Sequence, residues 1–430
     1  MVVTWRAVVL AAVLGIPVAV AADTAMTLLA VGVLVLVAVV DIALAASPRA
    51  VTLERVLPTS VRLTGTATSR LTLVNGSRRR LRGVVRDAWV PSAGAADTRH
   101  PVSVAPGDGT RLATTLTPTR RGDRLAGPVT IRSVGPLGVA GRQASIPLAG
   151  RLRVLPEFAS RKHLPSRLAR LRELDGRAAV QVRGEGTEFD SLRDYVVGDD
   201  VRSIDWRATA RRSAVVVRTW RPERDRRVLV VLDTSRSSAA RVGDQPRLDA
   251  GIEATLLLSA LAAHAGDRVE VVAFDRTQRA RVRGASGTRL LPAVAEALAP
   301  VAPVLVEADW TALAATVHGA LSQRAFVVLV TAIDPAVVSA GLMPVLGGLA
   351  ARHQVLVAAV SDPELAALGA DLATGDDAYD AAAAARTDLE RTAVAGLLRR
   401  TGAEVVEALP DDLAPRVADT YIALKAAGRL

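Results

Sequence analysis

Cysteine is absent from the 430 residues. That excludes disulfides, thiolate nucleophiles, iron–sulfur clusters and cysteine-ligated zinc, and it suits a chain facing a reducing compartment. Histidine is scarce, and His100, His163, His264, His318 and His353 stand far apart with no pair at metal-ligand spacing. Catalytic zinc is therefore not expected. Aromatic residues make up 3% of the chain, too few for the stacking platforms of single-strand nucleic-acid binders. Lysine is nearly missing, since Lys162 and Lys425 are the only two among 54 basic residues, set against 43 acidic ones. The net charge of +11 is thus arginine in an alanine- and valine-rich chain. That bias marks a GC-rich coding sequence rather than a nucleic-acid surface, and no nucleic-acid partner is expected. Residues 151–227 hold +7 of the balance, from 19 basic and 12 acidic residues.

Apolar residues, in contrast, are half of the chain, and the mean hydropathy is +0.28. Ala7–Ala22 is apolar throughout, interrupted only by Gly15 and Pro17, and a second run from Ala25 to Ala46 is charged only at Asp41. Each is about long enough to span ~30 Å of hydrocarbon at 1.5 Å per residue. Arg6 precedes the first run, Arg49 and Arg55 follow the second, and Asp23 alone charges the turn between them. Cationic flanks belong on the cytoplasmic side. The expectation is a multi-pass protein of the cell membrane, with a transmembrane hairpin over residues 1–46 and the large C-terminal region cytoplasmic. A cleaved signal peptide is the competing reading, because Ala19-Val20-Ala21 has the small-residue pattern of a cleavage site. Asp41 is placed near the headgroups, the alternative being a buried functional carboxylate.

Over residues 50–156 the texture changes to short alternating runs such as Leu71-Thr72-Leu73-Val74 and Val129-Thr130-Ile131-Arg132. Turn signals at Asn75-Gly76, Pro106-Gly107-Asp108-Gly109 and Arg121-Gly122-Asp123 separate them, which predicts a small β-sandwich-like, Ig-like module. Residues 157–226 form a basic connector. Its leucines Leu164, Leu168 and Leu171 are spaced for an amphipathic helix, either solvated or lying on anionic lipid.

From residue 227 to 430, strand-like runs at Val228–Leu232, Val269–Phe274, Ala280–Val282, Phe326–Val330, Val355–Val360 and Val405–Ala408 alternate with helical patterns. Those patterns cover about 246–264, 288–299, 310–322, 336–351, 382–400 and 411–427. Such alternation predicts a doubly wound, Rossmann-like parallel sheet with ligands beyond the carboxyl ends of its strands. The first strand runs into Asp233-Thr234-Ser235-Arg236-Ser237-Ser238. One carboxylate and two hydroxyls two residues apart on a strand-to-helix turn can point at one hard cation, Mg2+ or Mn2+, with coordination positions left over for water or a partner's carboxylate. The plain alternative is that Asp233, Ser235 and Ser237 cap and turn the chain. The pattern resembles the metal-ion-dependent adhesion site of von Willebrand factor A domains. That resemblance implies a threonine from a second loop, for which Asp309 and Thr311 are the candidates, and an aspartate after the fourth strand. Alanine stands at position 332 where the aspartate belongs, and Asp334 lies two residues later.

Residues 184–212 carry a denser signature. Gly184-Glu185-Gly186, Phe189, Leu192-Arg193-Asp194-Tyr195, Gly198-Asp199-Asp200, Arg202, Ile204-Asp205-Trp206 and Ala210-Arg211 closely resemble the bacterial domain-of-unknown-function family 58. The resemblance implies a membrane-anchored von Willebrand A-like protein acting beside a MoxR-type AAA+ ATPase in the assembly or maturation of other proteins. Glu185, Asp190, Arg193, Asp194, Tyr195, Asp199, Asp205, Trp206 and Arg211 are the candidates for locking the domains together through bidentate pairs or for docking a partner. Gly184-Glu185-Gly186 lacks the Gly-Lys-Ser/Thr ending of a phosphate loop, so no nucleotide is expected. Two other classes stand beside a non-enzymatic adaptor: a structural membrane protein that binds no metal, and a metal-dependent hydrolase. Against the hydrolase, no histidine or glutamate adjoins the Asp233 motif as a base, and no G-x-S-x-G elbow is present.

Overall fold

The apolar runs at the start of the chain form two helices, α1 (Trp5–Ala21) and α2 (Thr24–Leu44), and Asp23 caps the second by accepting the Ala25 N–H. This is a computed structural model, and it describes residues 2–21, 23–181, 188–212, 214–221, 226–368 and 375–430. The chain divides into two compact units, residues 1–157 and 158–430. The helix α2 is long and apolar enough to cross a bilayer, whereas α1 is shorter. Their apolar side chains face outward: Val8, Ile16, Leu28, Leu29 and Leu36 are each more than 60% exposed. In a water-soluble unit such a continuous apolar surface would be costly.

In the rest of the first unit, the alternating runs make two sheets. Val51–Val56, Ala67–Asn75, Gly109–Leu116 and Ala95–Ala96 form one. The other is built around the long strand Gly122–Val134, flanked by Leu81–Trp89, Ala140–Ile146 and Arg151–Leu155. Period-two alternation sends Leu71 and Leu73 of one sheet and Val85, Val129 and Ile131 of the other into a shared core. Asp41, close to the end of α2, is fully buried against the β module. Its carboxylate accepts the backbone N–H groups of Leu137 (2.8 Å), Val139 (2.7 Å) and Ala140 (2.8 Å). Hydropathy alone places Asp41 by its depth in the helix; the turn that satisfies it lies about a hundred residues downstream.

The second unit centres on a six-stranded sheet. Its strands are β1 (Arg227–Asp233), β2 (Arg268–Phe274), β3 (Gln278–Val282), β4 (Phe326–Val330), β5 (Gln354–Val360) and β6 (Glu404–Ala408). Their order is β3-β2-β1-β4-β5-β6, all parallel except β3, which runs antiparallel to β2. Val228, Val230 and Leu232 of β1 face a core shared with the helices Arg247–His264 and Pro410–Ala426, while Leu229 and Val231 face a core shared with Trp310–Ala320 and Met343–Arg352. A strand covered on both faces needs an unbroken apolar run, which is why Val228–Leu232 shows no alternation.

The basic segment set apart as a connector packs inside this unit. Leu171 is buried in the core, with Leu164, Leu168 and Leu174 against it, and Arg167 and Arg170 reach Asp419 at 2.7 and 3.1 Å. The leucine stripe is therefore neither solvated nor free for lipid. The helix expected over 336–351 is broken instead into Pro335–Val337, a π-turn at Val338–Leu342 and Met343–Arg352. Pro344, having no N–H to donate, suits that break. Trp310 packs so close to Gly341 that a Cβ there would meet its ring at 2.2 Å.

Candidate functional site

The sheet changes winding direction between β1 and β4, because the chain first adds β2 and β3 on one side and then crosses to β4 on the other. The crevice beyond these two carboxyl ends is where such sheets place ligands. Asp233 ends β1 there, and Thr331 directly follows β4. Ser237 Oγ and Thr331 Oγ1 each donate to Asp233 Oδ2 at 2.6 Å, and the Ser235 N–H donates to Oδ1 at 2.8 Å. Ser235 and Ser237 hydroxyls lie 3.1 Å apart, and Ser238 Oγ closes back on the Asp233 carbonyl at 2.6 Å. All five side chains are buried. The chain thus gathers one carboxylate and three hydroxyls around a single point.

A neighbouring carboxylate is tied elsewhere. Asp275, fully buried just after β2, accepts from Thr234 Oγ1 (2.9 Å) and Arg279 Nε (2.6 Å) and from the Arg276 N–H (2.6 Å). Burial pushes its carboxyl upward, but the Arg279 guanidinium, the Thr234 hydroxyl and the backbone donors outweigh this and leave it below the usual range.

Of the six residues expected to hold a cation, Asp233, Ser235 and Ser237 come together and the other three take different places. Asp309 is exposed and caps the helix Trp310–Ala320, accepting the Ala312 N–H at 2.9 Å. Thr311 is exposed on the first turn of that helix, and both line an open cleft with Arg276, Glu307 and Pro344. Asp334 is drawn to Arg247, 3.5 Å away at the start of the helix Arg247–His264. Thr331, which sequence reading passed over while seeking an aspartate, is the residue that β4 actually delivers to Asp233. The signal that would have found it is a hydroxyl directly after the strand on the far side of the switch point.

Oxygen donors of this kind suit a hard dication in chemistry. The carboxylate charge is single, and among the described residues no group of three His, Cys, Asp or Glu side chains is placed to hold a metal.

The charge-dense segment before the sheet folds on itself. Glu188–Asp194 pairs antiparallel with Val216–Arg221, and the intervening chain makes a short turn at Val201–Ser203 and the helix Trp206–Arg212. Arg193 grips Asp199 through both nitrogens (2.5 and 2.8 Å), and Asp199 also accepts the Val196 N–H at 2.9 Å. The Arg193 guanidinium first, then that N–H, holds the Asp199 carboxyl below the usual range. Asp205 caps the helix, accepting the N–H groups of Arg207 and Ala208 at 3.0 Å each, and takes Arg218 Nε at 2.8 Å. The Ala208 N–H, then Arg218, lowers its carboxyl likewise. Asp194, Arg211 and Trp206 are exposed, the last at 68%, and Tyr195 is half-buried. Glu185 and the side chain of Asp190 lie outside the described residues. The described bidentate pair is therefore internal to the segment.

Fold and cluster define the class: an α/β chain with apolar N-terminal helices, a two-sheet β module and an open, mostly parallel sheet carrying an oxygen-rich cluster at its switch point. Residues 191–391 match the family described as protein of unknown function DUF58. Uncharacterized proteins of Mycobacterium bovis and Mycobacterium tuberculosis are 28% identical over 232 residues, covering 49% of this chain and 72% of each relative. Among solved structures, a CARDB domain of Pyrococcus furiosus in complex with di-metal ions is 18% identical, covering 24% of this chain and 87% of its own, with a TM-score of 0.18. A FixG-related protein of Vibrio parahaemolyticus is 8% identical, covering 24% of this chain and 96% of its own, with a TM-score of 0.19. Likenesses so slight assign no fold.

Proposed function

We propose that this chain is a membrane-anchored, non-enzymatic adaptor whose second unit is a doubly wound von Willebrand factor A-type domain. The observation that carries the proposal is the convergence of Asp233, Ser235, Ser237 and Thr331 at the β1–β4 switch point. On this reading the cluster holds Mg2+ or Mn2+, and the ion leaves a coordination position for an acidic side chain of a partner. The helices α1 and α2 cross the cell membrane and keep the β module and the A-type domain on the cytoplasmic side. The family resemblance implies a MoxR-type AAA+ ATPase as the partner, in assembly or maturation of other proteins.

A second reading has one observation in its favour. The Asp233 carboxylate already accepts from three donors within the fold, so a cluster that merely ties β1 to β4 needs no ion. Mixing the purified full chain with the MoxR-type ATPase of the same genome separates the two. Comigration on gel filtration in Mg2+, lost in EDTA and in Asp233→Ala, supports the adaptor. Comigration that ignores both EDTA and the substitution refutes a metal-dependent contact.

A further inference from the structure

Both ends of the α1–α2 hairpin return to one turn of the β module. Val2–Val3, just before α1, pair with Gly141 and Ala140, and Thr4 Oγ1 donates to the Gly138 carbonyl at 2.5 Å. At the end of α2, Asp41 is gripped by the same turn. The apolar surface of α2 therefore stops at Leu44, and what surrounds that point is arginine. Arg142 Nε donates to the Ile42 carbonyl at 2.9 Å, Arg79 donates to the Ala43 carbonyl, and Arg6 Nη1 approaches the Leu137 carbonyl at 3.4 Å. Arg49 is exposed in the turn that follows α2.

Arg78, Arg79 and Arg80 are consecutive and exposed, and their turn is built to stay in place. Buried Asn75 donates to the carbonyls of Arg79 (2.9 Å) and Val104 (3.0 Å), and its Oδ1 accepts from the Ser77 hydroxyl at 2.7 Å. The Gly76 N–H donates to the Ala50 carbonyl at 3.0 Å, so close that a Cβ at Gly76 would meet that oxygen at 2.6 Å. The turn is thus pinned to the segment leaving α2, at the height where the apolar helix ends.

We propose that this arginine collar, Arg78 and Arg80 foremost, binds the phosphate of anionic phospholipid headgroups. Guanidinium forks match phosphate geometry, and basic clusters directly beside a membrane helix attract anionic lipid. Arg79, spent on the Ala43 carbonyl, orients the turn and leaves its two neighbours to the lipid. The proposal rests on the reading that α2 lies in a bilayer.

The test uses the full chain reconstituted into phosphatidylcholine vesicles and nanodiscs with and without phosphatidylglycerol. Resistance to an alkaline wash in pure phosphatidylcholine reports insertion alone, and extraction there overturns the bilayer reading and this proposal with it. Native mass spectrometry of the inserted protein then counts retained phosphatidylglycerol against phosphatidylcholine. Removing an arginine is expected to weaken phosphatidylglycerol retention about fivefold, so R78Q/R80Q loses roughly 25-fold. R62Q/R120Q, at the opposite end of the sandwich strands, keeps the preference. An inserted R78Q/R80Q protein with wild-type preference overturns the collar while leaving the anchor standing. Loss of preference in R62Q/R120Q to the same degree overturns it as well, because the attraction then belongs to net charge rather than to the site.

Discussion

Asp41→Asn is the substitution whose consequence the structure specifies most closely. The side chain keeps its size, but one acceptor oxygen becomes a donor. Asp41 Oδ2 serves the N–H groups of Val139 and Ala140, both bonds buried, while Oδ1 serves Leu137. The asparagine oxygen turns to the Oδ2 position and keeps the two buried bonds, so its amide faces the Leu137 N–H and leaves that donor unpaired. An orphaned buried donor costs ~1–3 kcal/mol, so the substitution costs on the order of 2 kcal/mol. For a unit of this size ~1 kcal/mol lowers Tm by about 2–4 °C, which places the expected drop near 6 °C. Gly135→Ala strikes the same place from the other side, since a Cβ there would meet Asp41 Oδ1 at 2.1 Å. Scanning calorimetry of the nanodisc-embedded chain reads the first unit's transition, and hydrogen exchange reads the amides of residues 137–140. A variant with unchanged Tm and unchanged protection at 137, 139 and 140 would refute the assignment of Asp41 as the lock between α2 and the β module.

Other consequences follow from the second unit. Asp199 and Asp205 both have carboxyls held below the usual range, so the stability they lend the 188–221 hairpin is present above the ordinary carboxylate value near pH 4 and is lost as pH falls through the lowered ones. Hydrogen exchange against pH should show that loss, and Arg193→Gln should shift it to higher pH. Asp267 behaves oppositely: burial raises its carboxyl despite Lys425 and Tyr421, so its contribution is complete below the unfolded value and fades as pH rises through the raised one. Tyr421→Phe removes the 2.5 Å bond to Asp267 Oδ2 and should lower stability by about 1.5–3 kcal/mol in urea titration. His353 is buried with neither ring nitrogen partnered, and burial, His318 and Arg352 lower its pKa. Stability should fall as pH drops below ~6.5, and His353→Leu should flatten that fall.

The sheet was legible because parallel strands covered on both faces must be continuous apolar runs, and Val228–Leu232, Phe326–Val330 and Val355–Val360 are such runs. Asp233, Ser235 and Ser237 were legible for a related reason, since a strand-to-helix turn concentrates its donors within a few residues. What stayed hidden is what only long-range contact decides. Asp41 meets its donors across nearly a hundred residues, and Thr331 meets Asp233 across 98. Asp334, the acidic residue that the sequence offered for that place, is spent on Arg247. The hairpin of Glu188–Asp194 with Val216–Arg221 has no short turn between its strands, so no local signal announces it. The ion pairs within it were visible as composition, and their pairing was not.

Calorimetric titration of Mg2+ and Mn2+ into the full chain in nanodiscs, beside Asp233→Ala and Thr331→Val, tests the central claim most directly, with circular dichroism showing that each variant is folded. The account predicts one site per chain in the wild type, abolished by Asp233→Ala, weakened by Thr331→Val and unaffected by Asp334→Ala. No heat from the folded wild type, or a site that survives Asp233→Ala, would contradict it.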